Sequence, residues 1–149
     1  MKFTAIISLC LLSVTLLPAA DSTAQEFRVL ATKKTSTMLE EMNEAAQASY
    51  SFKSVMGGES AFGGREVVVV MGREAGREAK QTKRYTLLAT DKTSTMQKEM
   101  QAAGDEGFDY RGQTVFSSTF GGNEVAVILE LDLDVPLRRY ECRLLATSK

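Results

Sequence analysis

The fold is decided by a stretch that occurs twice, LATKKTSTM at residues 30–38 and LATDKTSTM at residues 88–96. The offset of 58 residues, from position 30 to position 88, holds without a gap further along the chain. It aligns three more pairs, Glu41-Met42 with Glu99-Met100, Phe62-Gly63-Gly64 with Phe120-Gly121-Gly122, and Glu66-Val67 with Glu124-Val125. Self-similarity at a fixed period indicates one structural unit that is present more than once.

Each copy predicts a strand that leads into a helix. Residues 27–32 and 85–90 are short β-type runs, and the Thr-Ser-Thr triplet that follows each of them is typical of a helix N-cap. Apolar residues then recur at positions i, i+4 and i+7, so each helix should cover a sheet with one apolar face. These residues are Met38, Met42 and Ala45 in the first copy, and Met96, Met100 and Ala103 in the second.

Two further strands complete each copy. Residues 50–53 and 108–111 alternate apolar and polar side chains, and the apolar runs at residues 66–71 and 124–131 predict the next strands. We expect the charged links that follow to turn the chain into the first strand of the next repeat, as a hairpin that completes each sheet. A third start, LLATSK at residues 144–149, would then supply a closing strand.

The predicted fold class is therefore α+β, with two tandem β-α-β-β repeats plus a closing C-terminal strand. The sheet is expected to be mostly antiparallel, with the helices on one face. Repeat 1 spans residues 25–80, and repeat 2 with the closing strand spans residues 81–149.

The first 24 residues have the layout of a signal peptide. Lys2 precedes a mainly apolar run at residues 3–17, and small residues end the segment, which predicts cleavage after Ala24. The protein should therefore be exported, to the periplasm or outside the cell. Cleavage leaves Cys142 as the only cysteine, so an intramolecular disulfide is not expected. Cys142 aligns with Phe27 and Tyr85, and we expect a buried, inert thiol at an inward-facing position.

Composition excludes several function classes. The chain of 149 residues carries 18 basic and 19 acidic side chains with no long block of either sign, which argues against binding to nucleic acid. It has no His and no Trp, so every catalytic arrangement that uses a histidine is excluded. We expect no cofactor, no metal site and no catalytic residues. No membrane span should remain after the signal is removed.

A family resemblance rests on GDEGFD at residues 104–109, between the second predicted helix and a strand. This passage resembles the helix-Gly-x-x-Gly-Trp-Glu-strand passage of small bacterial β-α-β-β domains of unknown function. Phe108 stands where that family usually has Trp. The resemblance implies the same β-α-β-β fold in tandem and provides no catalytic residues.

Two sets of residues are candidate binding sites. The helix N-termini place hydroxyl and N–H groups beside a lysine, which could hold a phosphate or a carboxylate, although helix capping alone explains them as well. This candidate anion site consists of Lys34, Thr35, Ser36, Thr37, Lys92, Thr93, Ser94 and Thr95. The aromatic-glycine tips could contact a ligand or form packed turns, and consist of Phe62, Gly63, Gly64, Phe120, Gly121 and Gly122.

An acidic run offers a weaker candidate site. Glu130, Asp132 and Asp134 alternate with leucines, so on a strand the carboxylates would line one face and could hold a cation. We favour a solvated strand face for these residues.

The sequence favours an exported, non-catalytic binding or interaction module whose partner is an unknown protein or small ligand. A homodimer is a further possibility, because sheet edges would be exposed. The alternatives are an envelope-associated structural protein, or a sensor or enzyme that uses the Thr and Lys groups at the helix N-termini.

Overall fold

The computed structural model describes residues 24–59, 65–117 and 123–145. Two units with the same order of elements follow one another, which confirms an α+β fold of tandem β-α-β-β units. The first consists of β1 (Gln25–Thr32), α1 (Thr35–Gln47), β2 (Ser51–Glu59) and β3 (Arg65–Glu74). The second consists of β4 (Lys83–Thr90), α2 (Thr93–Asp105), β5 (Asp109–Ser117) and β6 (Asn123–Asp132). The predicted signal peptide lies outside the described residues, apart from Ala24.

Each unit forms its own antiparallel sheet. Sheet A has the strand order β1-β3-β2, and sheet B has the order β4-β6-β5. The predicted hairpin between the repeats is therefore wrong, because β4 pairs with β6 of its own unit. β3 is already paired on both sides, so it has no free edge to offer to the strand that follows it.

Two hydrophobic clusters show how the units stack. The first joins Met38 and Met42 of α1 to Val69 of sheet A and to Ile128 of sheet B. The second joins Met96 of α2 to the opposite face of sheet B. Helix α1 therefore lies between the two sheets, and α2 covers the far face of sheet B. The predicted apolar face of α1 is confirmed as core, and that of α2 is confirmed for Met96 and Ala103, whereas Met100 is only partly buried.

The described part of the C-terminal segment, which includes Leu144 and Leu145 of the third start, lies on α2 and forms no sheet. Residues 140–145, here called the strap, have no strand partner within the described chain. Their main chain is held by the side chains of Gln97 and Gln101, which lie one helical turn apart. As far as residue 145, the closing segment thus covers a helix and does not add the expected strand to a sheet, while residues 146–149 lie outside the described residues.

The helices begin without the predicted hydroxyl caps. The N-cap residues are Lys34 and Lys92, and neither helix has a side-chain cap bond. The Thr-Ser-Thr triplets already lie inside the first turn, so their hydroxyls are beyond the capping position. The preceding threonine provides a local turn in both copies, since Thr32 Oγ1 accepts the Lys34 N–H at 3.2 Å and Thr90 Oγ1 accepts the Lys92 N–H at 3.1 Å.

Both helices end in the same backbone turn with different residues. Ser49 has a φ of 67° and its repeat counterpart, Gly107, has a φ of 92°. This left-handed conformation is unfavourable for a residue with a Cβ atom. The Ser49 hydroxyl accepts the Lys80 N–H at 2.7 Å and donates to the Glu78 carbonyl at 2.8 Å, which fixes the link between the units.

Gly107→Ala is expected to lower the free energy of unfolding by about 2–3 kcal/mol, because a left-handed backbone cost adds to overpacking. The new Cβ would collide with Leu137 and lie 3.1 Å from the Arg138 carbonyl oxygen. Gly76→Ala is the matched control, since Gly76 has a φ of 75° with open space around it. Equal losses in urea unfolding would contradict a role for the contact with Leu137.

Candidate interaction surface

No element of the described chain covers the outer face of sheet A. Phe27, Val29 and Met56 are 60%, 63% and 54% exposed, respectively. The strand register places them on one face, with Val29 beside Val70 and Ala31 in line with Val68 and Met56. A contiguous apolar face of this kind is uncommon on a soluble protein, so this face is a candidate contact surface.

The same face of sheet B is buried. Tyr85 is the repeat counterpart of Phe27 and is 3% exposed, while Ala126 and Ile128, the counterparts of Val68 and Val70, are at most 1% exposed. Helix α1 and the inner face of sheet A cover them. The two copies of this face therefore differ in exposure because other elements of the described chain cover the face of sheet B and not that of sheet A.

Tyr85 joins the two units at this junction. Its main-chain N–H donates to Asn43 Oδ1 at 2.9 Å, and its carbonyl accepts from Asn43 Nδ2 at 3.1 Å. Its hydroxyl accepts the Phe52 N–H at 2.8 Å and donates to Glu130 Oε2 at 2.7 Å. One residue thus binds α1 and β2 of the first unit and β6 of the second.

Glu130 is buried within a group of opposite charges. The carboxylate is 5% exposed and accepts two hydrogen bonds from Arg111, at 3.0 and 3.2 Å, and Lys83 Nζ lies 3.5 Å away. Burial and the neighbouring Glu130 raise the pKa of the Tyr85 hydroxyl, which therefore stays a donor. The expectation of a solvated face is wrong for Glu130, because sheet A covers this face of sheet B.

Asp132 continues the acidic run at the rim of the junction. It forms an ion pair with Lys83, and the hydrogen bond from that lysine lowers the pKa of the Asp132 carboxyl below its ordinary value. Asp134 pairs with Lys80 at 3.0 Å. Among the described residues, no group of three or more cysteine and acidic side chains is arranged to hold a metal ion.

Two clefts adjoin the second unit. One, of about 250 Å³, is lined by Arg111, Glu130 and Asp132 together with Arg138 and the loop before the strap. The ion pairs of Arg111 and Asp132 partly neutralise this lining. The other, of about 370 Å³, lies between the strap and β5 and is lined by Met100, Tyr110 and Gln113.

The predicted anion site remains a prediction. Lys34 and Lys92 are exposed, and neither lines a described cleft. The Thr-Ser-Thr triplets lie in the first turns of α1 and α2. The two sets of residues therefore belong to different units. The aromatic-glycine tips around Phe62 and Phe120 lie outside the described residues.

The predicted burial of the Cys142 thiol is only partly confirmed. Its thiol is free and half-buried, and burial raises the pKa of the thiol. Tyr85 confirms the inward-facing prediction for the aligned aromatic position, whereas Phe27 contradicts it. Phe27 belongs to the first unit, and no helix of the described chain precedes that unit to cover it.

The pattern of the sequence did not predict the open face. The sequence feature that corresponds to the open face is a run of apolar residues at both odd and even positions of β1 and β3, as in Val67-Val68-Val69-Val70. Such a run fits a strand that is covered on both faces. In sheet A, the described residues cover only one face.

No family model, no curated protein and no solved structure matches this chain. The resemblance to small bacterial β-α-β-β domains therefore stays a prediction from residues 104–109. No helix in the described part of the chain has the length and apolarity needed to cross a membrane.

Tyr85→Phe is expected to lower the free energy of unfolding by about 1–3 kcal/mol, because the Phe52 N–H and the Glu130 carboxylate each lose a buried partner. Urea unfolding of the purified chain measures this. Tyr110→Phe is the control, since Tyr110 is 46% exposed. Equal, small effects of the two substitutions would show that the hydroxyl bridge contributes little.

Asp132→Asn is expected to reduce the acid sensitivity of the fold. The folded pKa of Asp132 is lowered, so its contribution is fully present above the ordinary value of 3.8 and is lost as the pH falls through the folded value. The difference in unfolding free energy between wild type and variant should be about 0.5–1 kcal/mol at pH 7 and should vanish in acid. Asp91→Asn, on an exposed bend, serves as the control.

Proposed function

We propose that this protein is a non-catalytic interaction module that works after export, through the outer face of sheet A. The observation that carries this proposal is the unequal burial of one repeated surface. Phe27 and Val29 are open in the first unit, while the corresponding face of the second unit is a packed interface.

The composition of the face supports a macromolecular partner. The face is broad and mainly apolar, and its exposed residues lie on strands whose register fixes their spacing. Such a rigid apolar surface favours a partner that brings its own apolar face, because burial of apolar area is the main gain on association. The Phe27 ring and the Lys53 side chain both lie close to Gly72, where an added Cβ would be 3.1 Å and 2.8 Å from them, respectively.

The export half of the proposal rests on the pattern of Lys2, the apolar run and Ala24. An exported domain without a disulfide depends on packing for its stability. Leaving Phe27 and Val29 exposed therefore gives up burial that the fold could use, which is consistent with a functional reason for the open face.

Site-specific photo-crosslinking in the exporting cells tests the proposal. A benzophenone amino acid at Phe27 or at Met56 is expected to give the same discrete crosslinked product, and Val29→Lys in the same chains should reduce both yields at least tenfold. Glu44, which is exposed on α1, is the control position. Yields at Phe27 and Met56 no higher than at Glu44, or insensitive to Val29→Lys, would refute the proposal.

A further inference from the structure

The strap and β4 occupy equivalent places in the stack. β4 lies on α1, where Asn43 binds both main-chain polar groups of Tyr85. The strap lies on α2, where Gln101, the counterpart of Asn43, accepts the Cys142 N–H at 3.0 Å and donates to the Tyr140 carbonyl at 3.3 Å. Cys142 is itself the counterpart of Tyr85 in the third start of the repeat.

Gln97 extends the same arrangement by one helical turn. It donates to the Cys142 carbonyl at 2.6 Å and accepts the Leu144 N–H. Leu144 packs against the cluster below α2. Four helical residues rise about 6 Å, which nearly matches the roughly 6.6 Å of two residues of extended chain, so Gln97 and Gln101 can bind alternate residues of the strap.

The strap covers only part of the surface of the second unit that corresponds to the surface of the first unit covered by sheet B. There, β5 lies on the other side of β6 from β4, with Gly112 against Phe52 and Val55 of β2. The counterparts of Phe52 and Val55 in the second unit are Tyr110 and Gln113. These two residues line the groove of about 370 Å³ beside the strap. This end of the molecule thus has room for strands that the described chain itself does not supply there.

We propose that copies of this chain associate head to tail, with the outer face of sheet A of one copy on α2 of the next, and that the strap is an intramolecular cap on α2. The occupant of the open face is a second copy, because the chain already contains such an interface once. In that internal interface, sheet B lies on α1 and sheet A. The inference rests on the proposed function, since it uses the same face. The strap must leave α2 before β1 of another copy can lie there.

The geometry makes this association open-ended. The face on sheet A and the face on α2 are different surfaces at opposite ends of the stack, so the contact is heterologous and each added copy presents a new free end. While the strap is docked, only the fraction of chains with a free α2 can bind, and the apparent affinity falls by that fraction.

Gly104 offers a way to release the strap without weakening the helix. A Cβ atom there would lie 2.5 Å from the Tyr140 carbonyl oxygen and 3.1 Å from Cys142 Sγ. Its counterpart in α1 is Ala46, which is 1% exposed in the cluster that includes Tyr85. Gly104→Ala should therefore displace the strap, favour the helix and leave α2 able to accept β1 of a second copy.

An engineered disulfide tests the contact directly. At the internal junction, a Cβ on Gly57 would lie 2.7 Å from Thr114 Oγ1, so cysteines at these positions would be within disulfide reach. Between copies, the matching positions are Val115 and Met56, both about half exposed. Full-length exported chains carrying Cys142→Ser with either Met56→Cys or Val115→Cys are mixed under mild oxidation.

The mixture is expected to form a disulfide-linked dimer that neither chain forms alone. Adding Gly104→Ala to the Val115→Cys chain should raise the yield about tenfold, and adding Val29→Lys to the Met56→Cys chain should abolish it. Rapid dimerisation of the Met56→Cys chain alone would show a face-to-face pair and overturn the head-to-tail arrangement. The arrangement also fails if no linked dimer forms even with Gly104→Ala.

Sedimentation velocity of the Gly104→Ala chain, with Cys142→Ser, provides the second readout. Species larger than dimers are expected as concentration rises, and Phe27→Lys with Val29→Lys should return the chain to a monomer. A strictly monomeric Gly104→Ala chain overturns this inference. If photo-crosslinking at Phe27 then captures a different protein, the proposed function stands. Crosslinking yields at Phe27 no higher than at Glu44 refute both the proposed function and the head-to-tail association.

Discussion

The arrangement of the two units depends on the binding of Tyr85. Its main chain completes the hydrogen bonds of Asn43, and its hydroxyl lies between the Phe52 N–H and the Glu130 carboxylate. A buried amide and a buried carboxylate would each be costly without a partner. Satisfying both with one hydroxyl allows sheet B to lie directly against the first unit.

Burial explains how the two copies diverged at this position. The buried copy has Tyr85, Glu130 and Arg111, whose charges and hydroxyl satisfy one another. The open copy has Phe27, Gly72 and Lys53 at the matching positions. Within the described part of its own chain, a carboxylate on the open face would gain no such partners, and a tyrosine hydroxyl there would have no main-chain N–H to accept. The duplication therefore kept the strands and changed the chemistry of the face that they present.

Local patterns predicted the elements well, because each depends on neighbouring residues. The spacing of Met38, Met42 and Ala45 identified the buried side of α1, and the period of the repeat identified the second unit. The predictions that failed concerned contacts between residues far apart in the sequence. The pairing of β4, the burial of Glu130 and the path of the strap all depend on which layer lies on which face. The repeat is silent on that point, because both copies have nearly the same pattern. The missing hydroxyl caps were a local error of one to three residues at the start of each helix.

The candidate surface escaped prediction for the same reason. Val68 and Val70 resemble core residues, and they would be core residues if another layer followed on that side. A sequence states which side chains are apolar, whereas exposure depends on where the stack of layers begins. Similarly, Gln97 and Gln101 have the composition of an exposed helix face, and only the course of the strap reveals that they bind main chain.

The order of the two units in the stack is also their order in the chain, and the strap follows both. A polypeptide that emerges N-terminus first, from a ribosome or a membrane channel, can therefore complete the first unit before the second unit, which packs on it, has emerged. The first unit does not have to open to admit the second, and the strap is needed only at the end. The stack can thus be assembled in one direction, at the pace at which the chain is delivered.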